Sequence, residues 1–233
     1  LQKILKKVNG DSAPIEIQGL AGSSNALVIS TLSKISGNSK EGAPPVLVVC
    51  ESFEIAEILL QDIYYYFGIE GVFFFPYWDV LPYDNFSPHK GLIAQRFKTL
   101  DALLNQQVKI LITTPNALMQ CFLPRNDFLK NTFTLTNELI LSQDEIGELL
   151  LNSGYIQVDV VEELGEFSIH GVILDVFPLN FEKPVRIEFS KKSKVQFLKP
   201  FDVQSQHTDQ TELSSLKILP AGEIIFNQGN IDF

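Results

Sequence analysis

The stretch VLVVCESFEIAEILLQDIYYYFG, residues 46–68, joins a continuous apolar run to a segment with helical spacing. The run VLVVC is typical of a strand that is buried on both faces of a sheet. Ser52 is a suitable N-cap for the helix that follows, and Gly68 is a suitable stop. A buried strand followed by a helix is the repeating unit of a parallel sheet that is covered by helices.

The same alternation extends in both directions through the first half of the chain. Apolar strand-like runs there are separated by segments with helical spacing, and Thr114 followed by Pro115 is a typical helix start. These elements predict an α/β domain with a parallel sheet. The elements are a strand at IEIQGL (15–20), a helix over 25–36, strands at GVFFFP and VKILITT, and a helix over 89–105.

After residue 124 the pattern changes to strands divided by turn residues, which predicts an α+β domain with an antiparallel sheet. Ser142 and Glu145 form a capping box, and Gly154 ends that helix. The predicted strands are FTLTN, VDVVEEL, GEFSIHGVILDVFP, KPVRIEF and VQFLKPFDV. We therefore predict a parallel-sheet domain over 1–124 and an inserted α+β domain over 125–210. Residues 211–233 would begin a return to the first domain that is cut short.

Composition and charge favour a protein partner over a nucleic acid. The 233 residues suit about two domains, and no apolar run reaches the ~18 residues of a membrane span. The two cysteines, Cys50 and Cys121, indicate a reducing cytoplasm.

The net charge is −10, of which residues 125–233 carry −8, from 9 Lys and Arg against 17 Asp and Glu. DNA-binding surfaces are normally basic, so this half argues against DNA.

The segment GLAGSSNA (19–26) has the setting of a phosphate-binding P-loop, a strand and a glycine turn before a helix. Gly19 is in place, but Ser24, Asn25 and Ala26 stand where the motif has Gly, Lys and Ser or Thr. Asn25 cannot reach a phosphate as lysine does, and Ala26 has no oxygen for Mg²⁺. We interpret the segment as a vestigial P-loop and predict neither nucleotide nor any other cofactor.

Two other features suggest chemistry but have simpler explanations. GVILD (171–175) imitates the Walker B strand, whose aspartate holds Mg²⁺ in P-loop NTPases, yet we predict that Asp175 is only a half-exposed strand residue. The histidines at 89, 170 and 207 lie far apart without neighbouring ligands, so no metal site is predicted.

Three stretches together resemble a known family. They are YWDVLPYDNFSPHKGLIAQRFKTLDALL, ITTPNALMQ and SGYIQVDVVEELGEFSIHGVILDVFP. In this order they are similar to the N-terminal part of the Mfd family, the bacterial transcription-repair coupling factors, where the region resembles the repair protein UvrB. The resemblance runs from about residue 15 to the LPAGEIIF segment. It implies UvrA as partner, with RNA polymerase and DNA bound through family regions that this chain lacks. The loop over 77–88 is too short for the DNA-probing hairpin of UvrB, so damage recognition is not implied.

The segment PVRIEFS (184–190) is the part of this resemblance that indicates a binding surface for UvrA. Alternation places Arg186 and Glu188 on the face opposite Val185, Ile187 and Phe189. The UvrA-binding pattern of UvrB resembles R-V-E-F, which Arg186 to Phe189 match.

The resemblance implies a surface centred on Arg186 and Glu188, with His170 where relatives often have Arg and Ser190 where an aromatic can stand. We expect Arg186 to bind a partner carboxylate and its removal to change the unfolding free energy by less than about 0.5 kcal/mol.

Two alternatives stay open. An active UvrB-like ATPase that handles damaged DNA would need a P-loop lysine and a hairpin, and the sequence has neither. An autoinhibitory module that binds the rest of its own chain would fit the same surface.

Overall fold

The computed structural model describes residues 14–37, 44–80, 88–137, 139–190 and 194–222. The chain divides into two compact units: the first comprises 1–77 and 99–120, and the second comprises 78–98 and 121–233. None of the helices within the described ranges is both long and apolar enough to cross a membrane. The domain boundaries predicted at 124 and 210 stay predictions.

The first unit is built around a three-stranded parallel sheet in the order β1-β3-β2. This confirms the parallel arrangement that the alternating elements predicted. Its elements are α1 (Ser24–Gly37), β1 (Val46–Val49), α2 (Phe53–Phe67), β2 (Val72–Phe75), the end of α3 (Lys90–Leu104), β3 (Ile110–Thr113) and α4 (Pro115–Met119).

The helix starts of the first unit form as the sequence predicts. The hydroxyl of Ser52 accepts a hydrogen bond from the Ile55 amide at the start of α2, and Gly68 ends the helix with φ +101°. Thr114 caps α4 in the same way, by accepting from the amide of Ala117. These local contacts orient α2 so that Ala56, Leu60 and Ile63 pack in the core.

Two predictions for this unit are wrong. Residues 15–20 form no strand, and all of them except Ile15 are exposed. Strand β1 is not buried on both faces, because Leu47 and Val49 are 53% and 49% exposed. Among the strands that the structure describes, β1 pairs with β3 alone and so lies at the edge of the sheet. The described residues do not cover its second face.

The second unit contains a five-stranded sheet in the order β5-β6-β7-β8-β9 and a two-stranded sheet of β4 and β10. Neighbouring strands are antiparallel except for β5 and β6. Its elements after α3 are α5 (Arg125–Lys130), β4 (Phe133–Thr136), α6 (Gln143–Asn152), β5 (Ile156–Gln157), β6 (Glu166–His170), β7 (Ile173–Val176), β8 (Val185–Phe189), β9 (Val195–Pro200) and β10 (Ser215–Ile218).

The antiparallel sheet confirms the α+β character predicted for this part, and both halves of the Ser142–Glu145 capping box are formed. The strand predicted at VDVVEEL is wrong. The carboxylate of Glu166 accepts hydrogen bonds from the amides of Glu162 and Glu163 at 2.9 and 2.8 Å. These bonds hold the segment as a loop.

The segment after β10 packs against the end of helix α6. Tyr155 donates a hydrogen bond from its hydroxyl to the Leu219 carbonyl at 2.9 Å, and the Ala221 amide donates to the Ser153 carbonyl at 2.7 Å. A Cβ on Gly154, whose φ is +88°, would come within 2.8 Å of the Gly222 nitrogen. Residues 215–222 thus pack within the second unit, whereas residues 223–233 of the predicted return segment lie outside the described residues.

Candidate protein-binding surface

The register of β6 to β9 builds the face of the five-stranded sheet that carries Arg186 and Glu188. We call this the outer face. Side chains alternate along each strand, so residues paired across neighbouring strands lie in rows on one face. One row is Ser168, Asp175, Arg186 and Lys199, and the next is His170, Ile173, Glu188 and Phe197.

The opposite face of the same sheet belongs to the core. Val185 and Ile187 are fully buried and Phe189 is 4% exposed. This alternation was predicted from the sequence and is confirmed. Helix α6 packs on this inner side, where a Cβ on Gly147 would lie 3.1 Å from Ile169. Arg186 and Glu188 are therefore held on the outer face by the burial of their neighbours.

Arg186 is not a free surface cation. Its Nε donates to Oδ1 of Asp175 at 2.8 Å and its Nη2 donates to Oδ2 at 2.7 Å, which is a bidentate ion pair. Nη1 also donates to the Gln206 carbonyl at 3.2 Å, and the guanidinium lies 4.7 Å from the Phe201 ring centroid. The hydrogen bonds with Asp175 raise the pKa of Arg186 above its ordinary value.

Asp175 is buried, with a side chain that is 8% exposed against 21% for Arg186. The prediction of a half-exposed Asp175 is thus wrong. The prediction that the fold would barely respond to loss of Arg186 assumed a free surface side chain, and the ion pair contradicts that assumption. Loss of Arg186 would leave a buried carboxylate without its counterion. The sequence predicts that Arg186 binds a carboxylate of a partner, but in the structure Arg186 binds the carboxylate of Asp175 in the same chain.

The other three predicted surface residues lie around this ion pair. Glu188 is partly exposed between Ile173 and Phe197, and neither ion pair found in the described ranges includes it. His170 is exposed at the end of β6, in the row of Glu188, with Nε2 2.6 Å from the Asp159 carbonyl. Ser190 follows β8, and its hydroxyl accepts from the Lys194 amide at 3.3 Å.

Sequence reasoning missed four residues of this face: Asp175 as an ion-pair partner, Gln206, Phe197 and Lys199. The alternation of VQFLK could have placed Phe197 and Lys199 on one face of β9. Gln206 lies in a loop with φ +58°, and no periodicity points to it.

The four residues assigned from the sequence to a vestigial P-loop lie in the first unit. Gly19 has φ +78°, and Ser24 begins α1 with its hydroxyl donating to the Ala21 carbonyl at 2.7 Å. Asn25 is exposed, whereas Ala26 is fully buried in the core. In the part of the chain that the structure describes, His, Cys, Asp and Glu side chains form no group of three that could hold a metal ion. The descent of this segment from a P-loop stays a prediction.

We expect no measurable binding or hydrolysis of ATP by this chain. The side chain of Ala26 faces the core and has no hydroxyl to bind Mg²⁺, and Asn25 has no positive charge to bind the phosphates. Titration calorimetry with Mg-ATP should show no heat of binding. Micromolar binding that is lost in Asn25→Ala would overturn this prediction.

Comparison with known proteins identifies the class of the second unit. Residues 133–223 match the UvrB interaction domain, a range that includes all strands from β4 to β10. Most of the second unit is therefore similar to a UvrB interaction domain.

Most of the chain is similar to transcription-repair-coupling factors. It is 34% identical over 190 residues to that of Escherichia coli strain K12, covering 82% of this chain and 16% of the relative. It is 31% identical over 209 residues to that of Haemophilus influenzae, covering 90% and 18%. For Rickettsia bellii the identity is 30% over 202 residues, covering 86% and 18%.

These findings confirm the resemblance seen in the sequence motifs: the chain is a relative of the transcription-repair coupling factors and corresponds to their N-terminal, UvrB-like region. It spans about a sixth of the length of the relatives it matches.

Proposed function

We propose that this chain is a recruiting module of a transcription-repair coupling factor. Its second unit binds the repair protein UvrA and so brings it to lesions where RNA polymerase has stalled. The match of residues 133–223 to the UvrB interaction domain carries this proposal. Contacts with RNA polymerase and DNA belong, in the same proposal, to the whole coupling factor.

The outer face of the five-stranded sheet is the proposed contact surface. It presents the partly exposed Glu188 and the exposed His170 on a rigid sheet, with Ser190 at the end of β8. Rigid strands lower the entropy cost of docking because few side chains must be ordered on binding.

Arg186 contributes to this surface in a second way. Four of its five N–H groups are used by Asp175 and Gln206. In our proposal Arg186 holds Gln206 and the loop after Phe201 against β8, and it offers a partner at most one remaining donor. Its loss would therefore weaken UvrA binding through the shape of the surface.

The first unit serves in this proposal as an inactive UvrB-like body without ATPase activity. The buried Ala26 and the exposed Asn25 support that role.

Purified UvrA from the same organism tests the proposal directly. We expect the immobilised 233-residue chain to bind UvrA, with a saturable response in interferometry. The remainder of the coupling factor, supplied as a separate chain, tests the autoinhibitory alternative. Binding of that remainder without any binding of UvrA would refute recruitment and favour the alternative.

A further inference from the structure

The outer face carries an aromatic side chain whose position is set by the strand register. Phe197 on β9 pairs directly opposite Glu188 on β8. Its neighbour Leu198, which points inward, is fully buried, but Phe197 itself is only partly buried. A phenyl ring thus lies partly exposed on the outer face, next to the charged side chains of Glu188 and Lys199.

Two further side chains make this ring part of a larger feature. Ile173 lies in the same row on the other side of Glu188 and is also only partly buried. The Lys199 ammonium lies 4.6 Å from the centroid of the Phe197 ring. Ile173 and Phe197 are thus two partly exposed apolar side chains that flank Glu188, and Lys199 lies against the Phe197 ring. We call Ile173, Phe197 and Lys199 the anchor strip.

The two cations of the outer face differ in their availability. Arg186 is bound by Asp175 and Gln206, whereas Lys199 is in neither ion pair of the described ranges and rests on an aromatic ring. A cation–π contact at an exposed site is worth about 0.5–1 kcal/mol. A partner carboxylate can therefore attract Lys199 at small cost, while Arg186 would have to leave a buried partner.

We propose that the anchor strip is the energetic centre of the partner interface. Phe197 enters an apolar pocket of a protein partner, and a carboxylate at the rim of that pocket receives Lys199. Aromatic side chains at the centre of an interface commonly dominate its binding energy. The net charge of −8 over residues 125–233 disfavours a nucleic acid as the occupant. This inference rests on the proposed function and names the residues that drive it.

Replacement of Phe197 tests the strip against a matched control. We expect Phe197→Thr to weaken UvrA binding about thirtyfold or more, since it removes the aromatic anchor but keeps a good strand former. Phe133→Thr is the control, because Phe133 is also a partly buried strand phenylalanine of the second unit but lies in the β4–β10 sheet. The control should leave the affinity within about twofold, and thermal unfolding of both variants measures the fold separately.

Lys199→Ala tests the proposed contact between the Lys199 ammonium and a partner carboxylate through the salt dependence of the affinity. We expect a loss of about threefold to tenfold and a weaker salt dependence of the affinity than in the unmodified chain. Unchanged affinity of a folded Phe197→Thr, in a chain that does bind UvrA, would overturn the anchor strip alone. Absence of any UvrA binding by the unmodified chain would overturn both the anchor strip and the proposed function.

Discussion

Replacement of Arg186 by alanine should lower the free energy of unfolding of the second unit by about 2 kcal/mol. The bidentate pair with Asp175 is part-buried, and the carboxylate left behind is only 8% exposed. Loss of one partner from a fully buried pair costs about 3–5 kcal/mol, and the 21% exposure of the Arg186 side chain places this case below that range. The change also removes the donors that hold the Gln206 carbonyl and side chain.

Urea unfolding, followed by circular dichroism, measures this loss. The matched control is Lys183→Ala, which breaks the exposed ion pair with Asp209, whose side chains are 50% and 37% exposed. Exposed pairs contribute little, so this control should unfold like the unmodified chain. A double-mutant cycle with Asp175→Asn should show strong coupling with Arg186→Ala. Equal stability of the Arg186→Ala and Lys183→Ala variants would contradict a structural role for Arg186.

The charge reversal Glu188→Arg should weaken UvrA binding by at least about tenfold, which corresponds to about 1.4 kcal/mol of binding free energy. Glu188 lies on the outer face between Ile173 and Phe197, so an arginine there would add a third cation beside Arg186 and Lys199. It would also place a long charged chain over the apolar residues that a partner would cover.

The control for this change is Glu148→Arg. Glu148 is exposed on helix α6, which packs against the inner side of the sheet. Glu148→Arg therefore changes the net charge by the same amount as Glu188→Arg, but at a site away from the outer face. Long-range electrostatic attraction is then the same in both variants, and only a local contact can separate them. Titration of each folded variant with UvrA gives the two affinities. Equal affinities would show that the outer face is not the contact surface.

Local patterns in the sequence were sufficient for much of this protein. The helix caps at Ser52, Thr114 and Ser142 each form as predicted, because a cap depends only on residues within one helical turn. The parallel first sheet was also predictable from the alternation of strands and helices, and the alternation of Val185 to Phe189 from the two-residue period of a strand. The three-part motif order was enough to indicate the family.

The tertiary structure decided which side chains meet over long sequence distances. Asp175 and Arg186 are paired through the β7–β8 register, Gln206 reaches them from a loop, and Phe197 is set opposite Glu188 by β9. Residues 15–20 look like a strand but have no described partner, since a strand forms only where another strand supplies its hydrogen bonds. Pairing partners are non-local, so periodicity along one segment cannot name them. This is why the sequence placed Arg186 on the outer face, while only the folded chain showed that its charge is already matched.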